Sequence, residues 1–404
     1  MDYAALFSKP ARIGLKRAGG GPSAPSGEVI SFAYGLPDPD SFPTGELLSA
    51  TRSVLADQSA TALQYGPPQG DPGLRTYLAE RLNEQEGLAL TPDQVAITNG
   101  SSQAIALIAH LLVDPGDTVL VEGPTFLGTV RVFQLYQARL EELPLDEHGL
   151  DVAELERRLE RLAANGVRPK FLYTQPTFHN PAGVTMPLDR RLELLRVAEK
   201  HALPVVEDDP YGDLRFEGSD VPSLLALDRQ GLVVRFGSFS KILAAGLRLG
   251  WAAGPAALVQ ALPAVKTDSG TSPYAARLAA EWASGGKLEP HVRQLRGIYR
   301  ERRDAMLAAL ERYCAPHCRW TRPEGGFFVW VELDDGLDPG LLHQAAQELG
   351  VGYLPGNRCF ASGSGERFLR LSFSFLTPEK IEQGIERLGR AMERSRASTA
   401  RPTA

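Results

Sequence analysis

With 404 residues, 43% of them hydrophobic and 23% charged, the chain has the make-up of a globular protein holding two domains or one large α/β domain with an appendage. A formal net charge of -6 and the absence of a basic stripe argue against a nucleic-acid partner. No apolar run reaches the roughly 20 residues of a membrane span, so no membrane association is expected. The three cysteines cannot all pair with one another, and Met1-Asp2-Tyr3-Ala4 opens no apolar leader, so the expected location is cytoplasmic.

In chain order, Arg17–Gly27 reads as a Gly/Pro/Ser linker. Short apolar runs then alternate with helical patterns, which predicts an α/β fold with a mainly parallel sheet flanked by helices. Strands are expected at Gln94–Thr98, Thr118–Glu122, Lys170–Thr174, Pro204–Glu207 and Leu232–Phe236. Helices are expected at Ile105–Val113, Val152–Ala164 and Arg190–His201. Past Lys287 the texture changes. A charged helix (Val292–Tyr313), a strand in Gly325–Leu333, a helix near Leu341–Leu349, a strand at Phe368–Phe375 and a helix at Pro378–Met392 suggest a smaller α+β domain. The tail Arg394–Ala404 reads as loose. The expected division is an N-terminal arm and pocket segment (1–45), a large domain (46–286) and a small domain (287–404).

In an open α/β sheet, ligands gather beyond the carboxyl ends of the strands. Asn99-Gly100-Ser101-Ser102-Gln103 opens a helix there, and free N–H groups beside two hydroxyls suit a phosphate, or form an ordinary helix start. Phe126, after the next strand, can lie flat on a planar ring or pack in the core. Asn180, in a Pro/Gly turn, is a short amide donor suited to an aromatic oxygen, or simply part of that turn.

Glu207-Asp208-Asp209-Pro210-Tyr211 ends a further strand. Three adjacent acids are costly there unless hydrated, bound to a cation or facing a positive ring. An aspartate against a pyridine nitrogen keeps that nitrogen protonated, and Tyr211 can donate to the same ring's phenolate oxygen. Ser238-Phe239-Ser240-Lys241 follows the strand at Leu232–Phe236, with Arg248 close behind. A lysine leaving a buried strand is expensive unless it does chemistry, and a Schiff base with a phosphate-bearing aldehyde cofactor is one such use. A surface lysine is the plainer alternative. On Phe368–Phe375, Arg370, Ser372 and Ser374 share one face and Leu369, Leu371, Phe373 and Phe375 the other. Arg370 suits bidentate capture of a carboxylate, or a structural ion pair. Cys314, His317, Cys318 and distant Cys359 have no usual zinc spacing, and three free thiols with no metal are expected.

Taken in order, Ser31-Phe32-Ala33-Tyr34-Gly35-Leu36-Pro37, Tyr65-Gly66, Gly100-Ser101-Ser102, Asn180-Pro181, Asp208-Asp209-Pro210-Tyr211, Ser238-Phe239-Ser240-Lys241 and Arg370 resemble the fold-type I pyridoxal-phosphate (PLP) aminotransferases. The branch that includes 2-aminoadipate and kynurenine aminotransferases is the most similar. The resemblance implies that Lys241 forms the Schiff base and shuttles a proton, and that Asp208 pairs with the pyridine nitrogen. Asn180 and Tyr211 would bind the ring oxygen, and Phe126 would stack on the ring. Gly100, Ser101, Ser102, Ser238, Ser240 and Arg248 would belong to the cofactor site, most of them holding its phosphate. Arg370 would grip the substrate α-carboxylate, Gly35 would line the pocket, and Tyr65 would reach a neighbouring subunit's cofactor in a homodimer.

Three departures from the pattern bear on the pocket. Ser102 replaces a frequent Gln, Tyr34 replaces a Gly, and Arg12–Gly27 is Gly/Pro-rich where aminoadipate enzymes have a helix. The implied reaction is transfer of an amino group from an L-amino acid to 2-oxoglutarate, the donor being aminoadipate, an aromatic or a branched-chain amino acid. Elimination or decarboxylation on the same scaffold is an alternative, and a ligand-sensing regulator module a more distant one.

Overall fold

The computed structural model describes residues 1, 3–18 and 29–399. Strand β1 (Ile30–Ser31) is followed by the eight strands of the large sheet: β2 (Val95–Thr98), β3 (Thr118–Gly123), β4 (Arg139–Asp146), β5 (Gly149–Leu150), β6 (Leu172–Thr174), β7 (Val205–Asp208), β8 (Val233–Ser238) and β9 (Gly250–Ala253). Their order is β2-β9-β8-β7-β6-β3-β4-β5. The central strands β8, β7, β6, β3 and β4 run parallel. β9 is antiparallel to both its neighbours.

The central strands read as near-continuous Val/Leu/Ile runs because helices cover both faces. One face packs with Leu155, Leu159, Leu194 and Val197, the other with Ile105, Ile108 and Phe133. Each strand expected in this sheet falls within two residues of its observed position. β4, β5 and β9 went unexpected; Gly250-Trp251-Ala252-Ala253 carries no alternation and only one large apolar side chain.

The second sheet comprises β10 (Cys318–Trp320), β11 (Phe328–Leu333), β13 (Leu354–Pro355) and β14 (Phe368–Ser372), in the order β10-β11-β14-β13 and antiparallel throughout. The remaining strand, β12 (Val351–Gly352), pairs in parallel with β1, so the segment before residue 35 joins the C-terminal part. Helices Leu288–Tyr313, Pro339–Glu348 and Pro378–Thr399 pack together against this sheet.

Three expectations are corrected. A helix spans Lys9–Ala18 and packs on the Leu127–Leu135 helix, so Arg17 and Ala18 are helical and Arg12–Ala18 is no open linker. The rest of the expected linker, residues 19–27, lies outside the described residues. The tail is helical as far as Thr399; residues 400–404 lie outside the description. β14 ends at Ser372, which frees Phe375 from the buried face and leaves it 43% exposed. Among the described residues, no helix is long and apolar enough to cross a membrane.

Candidate active site

The acids at the end of β7 are sorted by their partners. Glu207 accepts from the backbone N–H groups of Leu224 (3.0 Å) and Leu225 (3.1 Å). Asp209 accepts from Arg235 Nη2 (2.7 Å) and from the N–H of Gly212 (2.8 Å). Asp208 is different. Its Oδ2 accepts from the Tyr173 hydroxyl (2.5 Å) and Gln175 Nε2 (3.2 Å), whereas its buried Oδ1 has no partner. Burial pushes the carboxyl up to about 7, opposed by the hydrogen bond from Tyr173. An unpartnered carboxylate oxygen in the interior is expensive, and a cation or an N–H group is what it can accept.

Lys241 sits in a π-helical turn, Ser240–Ala244, directly after β8. Its Nζ donates to the Gly35 carbonyl (2.9 Å) and lies 5.5 Å from the Phe327 ring centre. Burial, with Arg370 and Arg248 nearby, brings its amine down to about 8. A neutral primary amine is thus accessible near physiological pH, as a nucleophile requires. Ser238, the last residue of β8, accepts at Oγ from the Ser240 N–H (3.1 Å).

The helix Ser101–Leu112 begins at Gly100 without a side-chain cap; the Gln103 N–H bonds the Gly100 carbonyl (3.1 Å), while the N–H groups of Ser101 and Ser102 have no partner among the described residues. Gly100 has φ +75°, and a Cβ there would stand 2.6 Å from Arg248 Nη2. Arg248 is exposed with a left-handed backbone (φ 53°), and no carboxylate pairs with it among the described residues. Among the described residues its guanidinium makes only long hydrogen bonds, to the carbonyls of Ala245 (3.4 Å) and Asn99 (3.5 Å). Uncapped helix N–H groups, the serine hydroxyls and an unpaired guanidinium form a cradle for a dianion.

Arg370 is buried on β14. It donates to Asn180 Oδ1 (2.8 Å) and the Ala33 carbonyl (2.7 Å), its Nε is unpartnered, and it lies 4.2 Å from the Phe328 ring centre. No carboxylate pairs with it among the described residues, which removes the structural ion pair. Asn180 also meets the Tyr211 hydroxyl. Ala33, Gly35 and Leu36 form a strap whose carbonyls are held by Arg370, Lys241 and Ser374 (2.6 Å).

The structure therefore brings together Asp208, Asn180, Tyr211, Lys241, Gly35 and Arg370, with Gly100, Ser101, Ser102, Ser238, Ser240 and Arg248 around the cradle. Phe126, half-buried at the start of the Leu127–Leu135 helix, makes no ring contact with them among the described residues. It folds over Gly128, where a Cβ would meet its ring at 2.6 Å. Tyr65 stands outside the cluster, 83% exposed. Cys314 and Cys318 are neighbours, Cys318 Sγ reaching the Cys314 carbonyl (3.4 Å), while Cys359 packs in a separate cluster with Ala182 and Trp330. All three thiols are free and buried.

Four residues behind the site were not foreseen: Tyr173, Gln175, Glu122 and His179. Register could have found the first, since Tyr173 pairs with Val206 and so shares a sheet face with Asp208. Glu122 accepts from Thr174 Oγ1 (2.5 Å) and the Gln175 N–H (2.9 Å), and lies 3.1 Å from His179 Nε2. His179 Nδ1 accepts from the Ala182 N–H (3.1 Å), so Nε2 carries the hydrogen toward Glu122.

A parallel sheet whose strand ends carry an amine, a lone carboxylate oxygen and groups suited to a dianion has the arrangement of a PLP enzyme of the fold-type I architecture. The family model for class I and II aminotransferases matches residues 28–388, and the chain belongs to that family; its cofactor is pyridoxal 5'-phosphate. The chain is 40% identical over 368 residues to aromatic-amino-acid aminotransferase 1 of Thermococcus litoralis, covering 91% of this chain and 88% of that protein. Its fold superposes on the kynurenine aminotransferase of Pyrococcus horikoshii with a TM-score of 0.91, at 37% identity over 99% of both chains. The α-aminoadipate aminotransferase LysN of Thermus thermophilus, solved with N-(5'-phosphopyridoxyl)-L-leucine, gives 0.87 at 37% identity, covering 97% of this chain and 98% of that one.

Proposed function

We propose that this aminotransferase moves the amino group of an L-amino acid of the aromatic, 2-aminoadipate or branched-chain type to 2-oxoglutarate, in two half-reactions with ping-pong kinetics. The observation that carries the reading is the unpartnered Oδ1 of buried Asp208. A carboxylate so placed is compensated by the protonated ring nitrogen of PLP, and the residues around it suit the rest of the cofactor. Asn180 and Tyr211 would hold the ring oxygen, Phe126 would cover the ring face, and Gly100, Ser101, Ser102, Ser238 and Arg248 would hold the phosphate, with Ser240 beside the cofactor. Bound there, PLP supplies an aldehyde that exchanges with amino groups and a cationic ring that withdraws electrons.

The protein's own part is to place groups and move a proton. Arg370, with no acid to neutralise it, would take the substrate α-carboxylate beside the strap at Gly35. With PLP bound, Lys241, whose amine burial brings down to about 8, would be the base placed to accept the Cα proton. Asp208 keeps the ring cationic while that proton moves. The aromatic and 2-aminoadipate donor classes follow the names of the relatives; the branched-chain class and 2-oxoglutarate as acceptor are our inference.

We place the domain boundaries near residues 45 and 286; Gly286, at φ 71°, turns the chain between helices Pro273–Trp282 and Leu288–Tyr313. Exposed Tyr65 supports a homodimer in which it reaches the partner's cofactor, and three buried free thiols suit a cytoplasmic location. The test is a panel of amino donors with 2-oxoglutarate, read as glutamate formed. The wild type is expected to turn over at least one donor class, and Lys241→Ala to lose both turnover and the cofactor's visible absorbance. No glutamate from any donor, or normal turnover by Lys241→Ala, overturns the proposal.

A further inference from the structure

Behind Asp208 lies a hydrogen-bonded frame that the family assignment does not explain. The Tyr173 hydroxyl donates to Asp208 Oδ2 at 2.5 Å. Gln175 Nε2 donates to the same oxygen at 3.2 Å and to the Tyr173 hydroxyl oxygen at 2.8 Å. The Gln175 amide cannot be turned over, because its Oε1 accepts from the Asn180 N–H at 2.9 Å. Its backbone is fixed in turn by Glu122, on the neighbouring strand β3. Tyr173, Gln175 and Asp208 are all buried, so no solvent competes for these bonds.

We propose that Tyr173 and Gln175 are positioning residues that turn Asp208 so that Oδ1 alone meets the cofactor's ring nitrogen, and that hold the carboxyl ionised so that the proton stays on the ring. The inference rests on the reading of Asp208 given above. Its physical basis is base strength. A carboxylate that accepts two hydrogen bonds at one oxygen is a weaker base than one accepting none. A proton shared between such a carboxylate and a ring nitrogen therefore lies toward nitrogen. Tyr173 remains a donor throughout, since burial and the neighbouring Asp208 hold its hydroxyl well above the usual tyrosine range. Gln175 adds a second effect: one amide joins the acid at the nitrogen end of the ring to Asn180, proposed at its oxygen end, so the two ends are set by one rigid group.

The test uses the holoenzyme and the variants Tyr173→Phe, Gln175→Leu and their combination. Losing the donors makes Asp208 the stronger base and the ring less cationic. The nitrogen that joins Lys241 to the cofactor then keeps its proton to higher pH. The pH midpoint of the bound cofactor's visible absorbance should rise by about half a unit or more in the double variant, with each single variant between. Its kcat should fall about tenfold or more while KM for the amino donor stays within about twofold.

Phe171→Leu is the packing control, since Phe133 stacks edge-on against both Phe171 and Tyr173. It should lower thermal stability and leave the midpoint unmoved. A double variant with wild-type midpoint and kcat, or with lower stability alone, overturns the inference. Should the double variant not fold, Tyr173→Phe decides on the same criteria. Asp208→Asn separates the two levels. If it keeps wild-type kcat and midpoint, the reading of Asp208 itself is wrong; if it is disabled while the frame variants are not, only the present inference falls.

Discussion

Asp208 is ionised in the free protein only at a cost. Its carboxyl is raised to about 7, above the range of an unfolded chain. A carboxyl raised on folding binds more protons in the native state, so stability falls as pH rises from about 4 to about 7. The full cost, about 4 kcal/mol, is present above that window and absent below it. The cofactor-free Asp208→Asn variant should therefore be more stable than cofactor-free wild type at pH 8, by about 2–4 kcal/mol in denaturant melts. That advantage should vanish near pH 4. An equal difference at both values would mean that Asp208 is not a strained carboxylate. Arg370 makes the complementary case at the substrate end. Arg370→Ala should raise KM for amino and oxo acids about 30-fold or more, as loss of a charge-assisted bidentate pair does, and leave cofactor affinity within about threefold. Steady-state kinetics and cofactor titration measure the two.

At the scale of elements, the positions of Lys241, Asp208 and Asn180 follow from strands β8, β7 and β6 ending side by side. Their apolar runs and the polar residues after them were legible in the sequence. So was the helix at Gly100-Ser101-Ser102, although it begins at Ser101, four residues ahead of the apolar pattern Ile105–Val113 that signalled it. Gly100→Ala should force an L-residue to φ +75° and push Arg248 aside, raising the cofactor dissociation constant about tenfold or more while secondary structure is kept. Fluorescence titration with PLP and circular dichroism check the pair of outcomes. What stayed hidden depends on neighbours remote in sequence. Glu122 reads as an ordinary strand residue, yet its carboxylate pins Thr174, Gln175 and His179, about 50 residues away, in the loop that carries Asn180. The Lys9–Ala18 helix was masked by the glycines that follow it. Tyr173 was passed over because its aromatic ring made it look like core, which most of it is.

For the whole molecule, β1 joins the C-terminal part by pairing with β12, whereas the Lys9–Ala18 helix packs on the Leu127–Leu135 helix beside the large sheet. Arg370 on β14 meets Asn180, in the loop after β6 of the large sheet, and the proposed active site lies at that junction. Assembly should matter as much as fold. In light scattering the protein should have twice the 43.8 kDa chain mass, and Tyr65→Ala should keep that mass while weakening cofactor binding about tenfold, through loss of its proposed hydrogen bond to the partner's cofactor. A monomeric wild type would remove the shared site. The strap at Ala33–Leu36 has a consequence of its own. It is latched by Lys241 and Arg370, the two side chains proposed above to take PLP and an incoming acid. Guest and latch draw on the same hydrogens, so occupancy loosens the flap, and amide exchange along it should quicken as the pocket fills.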